Sequence, residues 1–208
     1  MKGLGPVQGC IIILEPISRL IANGILLAWP VIPLFWLPVR LFPWLLPRLG
    51  RGLYGLTGIL WLAVASLILR NQDILLSGRL GLPAVISMAG WLVFVSGLIL
   101  QAWTALVLGR RIIGLPELDS SSKKDAILET RSPFNLCRHP TYLAHFFIFS
   151  GAAVATGFYS LLCLSVVDFL LTRLIIIPLE EKELQDRFGT VYTEYKKRVP
   201  CLFPRIKR

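Results

Sequence analysis

Five apolar runs separated by basic loops are the feature that most constrains how this chain folds. The runs lie near 17–38, 53–69, 83–108, 142–157 and 159–178. A bilayer core of about 30 Å takes roughly 20 helical residues to span, and these runs approach or exceed that length. The sequence therefore predicts an all-α integral membrane bundle with about five transmembrane helices.

The distribution of charge favours a membrane protein over a nucleic-acid-binding protein. Charged residues make up 16% of the chain, against about 25% in a typical soluble domain. The net charge is +10, but Lys and Arg lie in loops between apolar runs and in the C-terminal tail. That pattern is expected beside anionic lipid headgroups. We therefore expect membrane lipids, and no nucleic acid, among the partners.

The cysteine pattern argues against a metal centre. The four cysteines form no Cys-x-x-Cys pair, and only His139 and His145 add imidazole groups. A structural zinc site and a disulfide framework are both unexpected for such a pattern. We therefore expect no metal in this protein.

Prolines interrupt the first apolar run. Pro30, Pro33 and Pro38 lie within 17–38, so we expect this segment to be kinked or partly interfacial. A four-span arrangement, with this segment on the membrane surface, is the alternative. The N-terminus has one Lys and no clear cleavage site, so we expect it to be retained.

The basic residues also predict the orientation. They cluster in the loops at 39–52 and 109–139 and in the tail beyond residue 180. With five spans these three regions fall on one side of the membrane, which the positive-inside rule assigns to the cytoplasm. We therefore expect an outside N-terminus, a cytoplasmic C-terminus and a site on the cytoplasmic side.

The C-terminal tail has the pattern of a surface helix. Leu184, Phe188, Val191 and Tyr195 recur at helical spacing and predict one apolar stripe, with a bend at Gly189. Such a helix lies along the membrane or caps the bundle. We divide the chain into N-terminal transmembrane helices (1–110) and a C-terminal region with a helical hairpin and a cytoplasmic tail (111–208).

The last two runs are predicted to form a hairpin, because little more than Gly157 and Phe158 separates them. Polar groups lie at the start of this pair, at 138–142, and directly after it, at Glu180 and Glu181. A hairpin returns both groups to one membrane face. A single site can then use both.

The polar group at 138–142 has the character of an anion-binding helix start. Pro140 is well placed at the first position of a helix, so Arg138 and His139 directly precede its N-terminus. Free backbone N–H groups and the helix dipole favour a carboxylate or phosphate there. Tyr142 follows where its ring can pack against a flat ligand. The ordinary alternative is a headgroup-anchoring Arg138 and an interfacial Tyr142.

Further ionisable residues lie within the last two runs. Glu180 and Glu181 can hold an ammonium group or ribose hydroxyls, and need water or partners at a membrane boundary. Arg173 is two helical turns before Glu180 and is expected to face the bundle interior, toward an anionic substrate group. Asp168 is expected to find a partner on another helix. His145 is a candidate proton carrier, although packing is its more common role.

Four ordered motifs resemble the isoprenylcysteine carboxyl methyltransferase family. They are Arg-His-Pro-x-Tyr at 138–142, Glu-Glu-x-x-Leu at 180–184, Phe-Gly-x-x-Tyr at 188–192 and Tyr-Lys-Lys-Arg-Val-Pro at 195–200. The matching region covers about 126–208. The resemblance implies an integral membrane enzyme that uses S-adenosylmethionine.

The resemblance also implies roles for individual residues. Those implied to bind the cofactor are His139, Pro140, Thr141 and Tyr142, then Glu180 with Glu181 adjacent, and upstream 126–129, including Leu128, and Phe134. Ser132 stands where the family usually has glycine, and Ile176 where it has a substrate-binding arginine. Arg173, one turn earlier, is the candidate replacement.

We expect methyl transfer to a lipophilic acceptor that enters from the bilayer, such as the carboxylate of a prenylated molecule. An amine acceptor has to lose a proton, which gives His145 or a glutamate a role as base. The alternatives are a phospholipid N-methyltransferase, a sterol-type reductase with a nicotinamide cofactor, and a non-enzymatic membrane scaffold or lipid-binding protein.

Overall fold

The structure, a computed structural model, describes four stretches of the chain. These are residues 6–42, 44–50, 52–109 and 127–204, with side chains omitted at 6–14, 46 and 47. The described residues are helical almost throughout and form no β-strand, apart from an isolated bridge between Arg79 and Phe158. The all-α prediction is confirmed.

Ten α-helices and two π-helical turns follow one another along the described chain. They are α1 (Pro6–Ala28), a first π turn (Ile32–Trp36), α2 (Leu37–Leu41), α3 (Leu45–Leu49), α4 (Gly52–Arg70), α5 (Gln72–Leu75), α6 (Ala84–Leu108), α7 (Pro140–Thr156), α8 (Tyr159–Leu171), a second π turn (Thr172–Ile176), α9 (Ile177–Phe188) and α10 (Thr190–Arg198).

Among the described residues, four helical segments are long and apolar enough to cross a membrane. They are Glu15–Leu41, Gly52–Arg70, Ala84–Leu108 and Tyr159–Phe188. The remaining candidate, α7, has 17 residues, which makes it about 26 Å long and somewhat shorter than a bilayer core of about 30 Å. The predicted count of about five spans is therefore approximate.

The first span is kinked, as its prolines predict. α1 ends at Ala28, and the chain resumes a helical path in the π turn Ile32–Trp36. Pro30 has no N–H to donate and its ring clashes with the preceding turn, which interrupts the helix there. The kink brings the indole of Trp29 toward α8 and carries Arg40 to the far end of the bundle.

Helices α6 and α7 pack with their backbones almost touching. A Cβ on Gly90 would lie 2.4 Å from the backbone nitrogen of Ala155, and one on Gly151 would lie 2.4 Å from that of Phe94. A Cβ on Gly97 would meet the nitrogen of Ile148 at 2.7 Å. Small residues allow this close approach in membrane bundles, where dispersion contacts hold helices together. The long α6 thus supports α7, which begins at the 138–142 motif.

The predicted hairpin between α7 and α8 is confirmed. Gly157 ends α7 with φ +75°, a backbone conformation that favours glycine, and its carbonyl accepts a 2.7 Å hydrogen bond from the Leu80 amide. Tyr159 donates to the Gly78 carbonyl at 3.2 Å. The short turn is fixed against the chain before α6. The start of α7 and the end of α8 therefore lie together at the opposite end of the bundle.

A π turn at Thr172–Ile176 joins α8 to α9 without a break. In an unbroken α-helix, residues twelve apart point about 120° apart around the axis. The wider π turn contains roughly one extra residue, which reduces this angle by about 100°. Asp168 and Glu180 therefore lie on nearly the same face of this long helical segment.

The predicted single stripe along the tail is wrong beyond Gly189. This residue has φ +54° and separates α9 from α10, which changes the direction of the second helix. Tyr192 becomes fully buried, whereas Val191 is 62% exposed. Tyr195 is buried as expected. The tail therefore consists of α9, which continues the last span, and the short α10, whose following residues are hydrogen-bonded to the start of α7.

Candidate active site

The hairpin brings the two predicted polar groups together at the end of the bundle. The Tyr142 hydroxyl donates a 2.7 Å hydrogen bond to Oε2 of Glu180. The other oxygen, Oε1, lies 3.9 Å from the Arg40 guanidinium, and Arg40 also pairs with Glu183. The Glu180 side chain is 23% exposed. Its carboxylate is therefore held in place while remaining open to a ligand.

Glu181 has a different environment, because two cations neutralise it. Nε and Nη2 of Arg138 donate to its Oε1 at 3.0 and 2.5 Å, and Lys196 Nζ lies 2.6 Å from its Oε2. Nε2 of His139 is 3.4 Å from Oε1. The side chains of Arg138 and Glu181 are largely buried. Glu181 thus links the start of α7 to the tail.

The tail forms one wall of the site. Backbone amides of Arg138 and His139 donate to the carbonyls of Pro200 and Cys201 at 2.9 and 3.1 Å. Nη1 of Arg138 also donates to the Val199 carbonyl at 2.6 Å. This short ladder holds the His139 backbone beside the acidic pair and ties the chain after α10 to the start of α7.

An aromatic row leads from this polar end into the bundle. The rings of His139 and Tyr142 stack with centroids 5.8 Å apart, His145 meets Tyr142 edge-on at 6.2 Å, and Phe149 follows His145 at 5.7 Å. Nδ1 of His145 is buried without a hydrogen-bond partner among the described residues. The row gives the site a flat apolar wall.

The other predicted cofactor residues take more peripheral positions. Pro140 is buried at the first position of α7, as predicted. The Phe134 carbonyl accepts a 2.6 Å hydrogen bond from Tyr195. Thr141 and Leu128 are half-buried, and the described contacts link neither to the acidic pair. Ala126 lies outside the described residues.

The expectation that Arg173 faces the bundle interior is wrong. Its side chain is exposed, because Arg173 lies in the π turn Thr172–Ile176. Seven α-helical residues would align it with Glu180, but the wider turn rotates it away by roughly a quarter of a turn. Its predicted catalytic role stays a prediction.

Sequence reasoning missed Arg40 and Lys196 as parts of the site. Arg40 was counted only as a basic residue that orients the chain in the membrane, and Lys196 was counted so and as part of the motif at 195–200, without a role in the site. Arg40 is nearly buried beside Glu180, with 10% of its side chain exposed, and Lys196 binds Glu181. An arginine directly after the kinked first run, with two acids near the end of the last run, was the available signal.

His139, Glu181 and Cys201 have ligand atoms within 4.8 Å of one another, close enough for a metal ion. However, Glu181 already has a bond to each of Arg138 and Lys196, so its negative charge is balanced. Burial also raises the pKa of the Cys201 thiol, which disfavours the thiolate that binds metals. We therefore assign these residues to holding the tail.

Residues 85–191, about half of the chain, match the phospholipid methyltransferase family. The match runs from α6 through the Tyr142–Glu180 pair to the start of α10. The chain belongs to the phospholipid methyltransferase family. The resemblance drawn from its motifs is confirmed at this level, and with four apolar spans the protein is an integral membrane protein.

Curated proteins that are similar to this chain carry different names. Methanethiol S-methyltransferase 1 of Bradyrhizobium diazoefficiens is 31% identical over 120 residues, which are 57% of this chain and 40% of that protein. Cobalt-zinc-cadmium resistance protein CzcN of Cupriavidus metallidurans is 30% identical over 86 residues, 41% of this chain and 39% of that protein. The chain thus spans about 40% of the length of these curated relatives. No solved structure matches it.

Proposed function

We propose that this protein is an S-adenosylmethionine-dependent methyltransferase acting on a lipophilic acceptor. The observation that carries the proposal is the 2.7 Å hydrogen bond between Tyr142 and Glu180. It joins the two motifs, 38 residues apart in the chain, in one cleft at the end of the bundle. Membership of a methyltransferase family supplies the reaction class.

The residues present suit the amino acid and ribose parts of this cofactor. Glu180 keeps a partly exposed carboxylate, which suits an ammonium group or ribose hydroxyls. His139 and the amides of Thr141 and Tyr142, which lie in the first turn of α7 and have no acceptor within the helix, suit a carboxylate. The Tyr142 ring offers a flat wall for the adenine. Arg138 is fully engaged with Glu181 and Val199, so we assign it to positioning.

S-adenosylmethionine supplies a methyl group already activated on a positively charged sulfur. The protein therefore has to orient the reactants and exclude water rather than activate the methyl group. Tyr142 holds Glu180, while Arg138 and Lys196 fix Glu181 and close the tail over the start of α7. The apolar row beyond Tyr142 keeps the reaction away from bulk water.

We assign the site to the cytoplasmic side. The basic residues Arg40, Arg138 and Lys196 all lie at the same end of the bundle as Glu180 and Glu181. Those at 51, 110–126 and 205–208 lie outside the described residues. By the positive-inside rule this end faces the cytoplasm. The cofactor then enters from the cytoplasm and the acceptor from the bilayer.

The acceptor is less well supported as a carboxylate than as a thiol or amine. Ile176 is fully buried where the isoprenylcysteine enzymes have a substrate arginine, and Arg173 points outward. An anionic acceptor would therefore lack an inward cation on this helix. A thiol is the acceptor that the name of the Bradyrhizobium relatives indicates, and an amine is consistent with the family description.

Calorimetry on the purified protein in detergent tests the cofactor. We expect S-adenosylmethionine to bind, and Glu180→Gln to weaken binding about 10- to 100-fold, since a hydrogen bond to a charged group contributes about 1.5–3 kcal/mol. Glu194→Gln is the matched control, because Glu194 is exposed on α10 and pairs only with nearby Lys197. Binding of NADPH instead, or of neither nucleoside, would refute the proposal.

A further inference from the structure

A buried carboxylate lies within the last span, away from the site described above. Asp168 on α8 is 2% exposed, and its Oδ1 accepts a 3.0 Å hydrogen bond from the Trp29 indole. The partner thus comes from another segment, the turn directly after α1, and it is a neutral donor rather than a cation. Acids within membrane spans are costly and usually functional.

A second buried polar group lies between Asp168 and the site. Thr172, one turn further along the same face, is 3% exposed, and its hydroxyl has no partner among the described residues. The π turn places Glu180 on nearly the same face. Along this face a line runs from Glu180 past the buried Ile176 to the polar groups of Thr172 and Asp168.

The surroundings of this line are apolar. Phe149 and Ile176 belong to the main buried cluster, and Trp29 and Tyr142 pack against it. A single acid in such surroundings is suited to an uncharged molecule that carries one polar hydrogen. A second anion would be repelled strongly, because charges interact more strongly away from water.

We propose that Asp168 receives the proton of the methyl acceptor, and that the acceptor is therefore a lipophilic thiol or amine rather than a carboxylic acid. The Trp29 indole orients the carboxylate, and the Thr172 hydroxyl hydrogen-bonds the acceptor as it approaches. This inference rests on the proposed function, because it assigns the acceptor side of the same reaction.

The step balances as a deprotonation coupled to methyl transfer. The acceptor's S–H or N–H bond breaks, and its proton passes to a carboxylate oxygen of Asp168. The electron pair that remains on the acceptor atom forms the new bond to the methyl carbon. The bond between that carbon and the donor sulfur breaks, and its electrons stay on the sulfur. Asp168 releases the proton to water between turnovers.

The competing explanation is a purely structural hydrogen bond that joins the first span to α8. Asp168→Asn separates the two explanations, because the amide oxygen still accepts the Trp29 hydrogen bond but does not take up a proton. A structural role predicts a nearly normal enzyme. Proton transfer by a positioned group contributes about 10²- to 10⁴-fold, so our proposal predicts a loss of at least about 100-fold.

The experiment uses the full-length protein in detergent with labelled S-adenosylmethionine. Methanethiol, phosphatidylethanolamine and an isoprenylcysteine are offered as thiol, amine and carboxylate acceptors. We expect the wild-type protein to methylate the thiol or the amine and Asp168→Asn to lose that activity, with cofactor affinity within twofold of wild type. Ser165→Ala, one turn away on the same buried face, is the control and should retain activity.

A binding measurement without the cofactor provides a second readout. Trp29 fluorescence, isolated by subtracting the signal of Trp29→Phe, should change when the preferred acceptor is added to wild type and stay constant in Asp168→Asn. Unchanged turnover in Asp168→Asn, or preferred methylation of the carboxylate by wild type, would overturn the inference. The acceptor preference of the wild-type protein needs no variant, so it still tests the inference if Asp168→Asn does not fold. Failure of wild type to bind S-adenosylmethionine would instead overturn the proposed function.

Discussion

Replacing Gly151 by alanine tests whether the α6–α7 contact holds the site in place. The added Cβ would lie 2.4 Å from the backbone nitrogen and 2.7 Å from Cα of Phe94, and 3.0 Å from the Gly90 carbonyl oxygen. Non-bonded carbon atoms prefer about 3.5–4.0 Å. The obstacles are backbone atoms that cannot rotate away, so the two helices have to separate by about 1 Å.

This separation sets the size of the effect. A gap of about 0.5–1 Å forfeits roughly a quarter to a half of each dispersion contact along the interface. Overpacked cores lose about 1–3 kcal/mol, and we expect the upper end here because backbone is displaced. For a chain of this size each 1 kcal/mol lowers Tm by about 2–4 °C, so Gly151→Ala should lower Tm by about 6–12 °C.

Thermal unfolding in detergent, followed by circular dichroism, measures the change. Gly55→Ala on α4 is the matched control, because a Cβ there meets nothing within 4 Å. We expect the control to unfold within about 2 °C of wild type, since an exposed helical alanine is not destabilising relative to glycine. Equal Tm values for the two variants would show that the backbones of α6 and α7 are not in contact as described.

Three further predictions concern the site and its wall. Tyr142→Phe removes the hydrogen bond to Glu180 and should weaken S-adenosylmethionine binding about tenfold or more. Unchanged affinity in calorimetry would show that this hydrogen bond does not contribute to cofactor binding. Arg138→Ala breaks a largely buried ion pair, which costs about 3 kcal/mol, and should speed tryptic cleavage of the tail, whereas an unchanged cleavage rate would contradict its positioning role. Burial raises the pKa of the Cys137 thiol to about 11, so a thiolate fraction of about 0.001 at pH 8 should prevent maleimide labelling of Cys137 until the protein is unfolded. Mass spectrometry of peptides separates this cysteine from the exposed Cys163, and rapid labelling of Cys137 in the native protein would contradict the prediction.

The hairpin and its consequence were predictable from sequence. The gap at Gly157 is too short for any other connection, so the start of α7 and the end of α8 had to lie at the same end of the bundle. That reasoning alone placed Tyr142 near Glu180. The kink of the first span was equally predictable, because proline interrupts the backbone hydrogen bonds of a helix by its own covalent structure.

The rotations around helix axes were not predictable. Counting 3.6 residues per turn placed Arg173 inside the bundle and Val191 on a buried stripe. A π turn and the φ +54° of Gly189 each change the phase of the helix that follows. Neither event has a reliable sequence signal, because a π turn depends on tertiary packing and a glycine allows a break without requiring one.

Contacts between distant parts of the chain were also not predictable from the sequence. Arg40 and Glu180 are 140 residues apart in the chain, and Trp29 and Asp168 are 139 residues apart. Hydropathy fixes which segments cross the membrane but leaves open which segments are neighbours. The pairing of the first span with the last required the three-dimensional arrangement.

The glycine contact between α6 and α7 also restricts how a substrate reaches the cleft. Where the main chains of two helices touch, no acyl chain can slip between them, so this flank of the protein is sealed to lipid. If the acceptor carries a hydrocarbon tail, as proposed above, it has to arrive along a different flank. Selection among long, short and branched tails would then fall to side chains remote from the glycines.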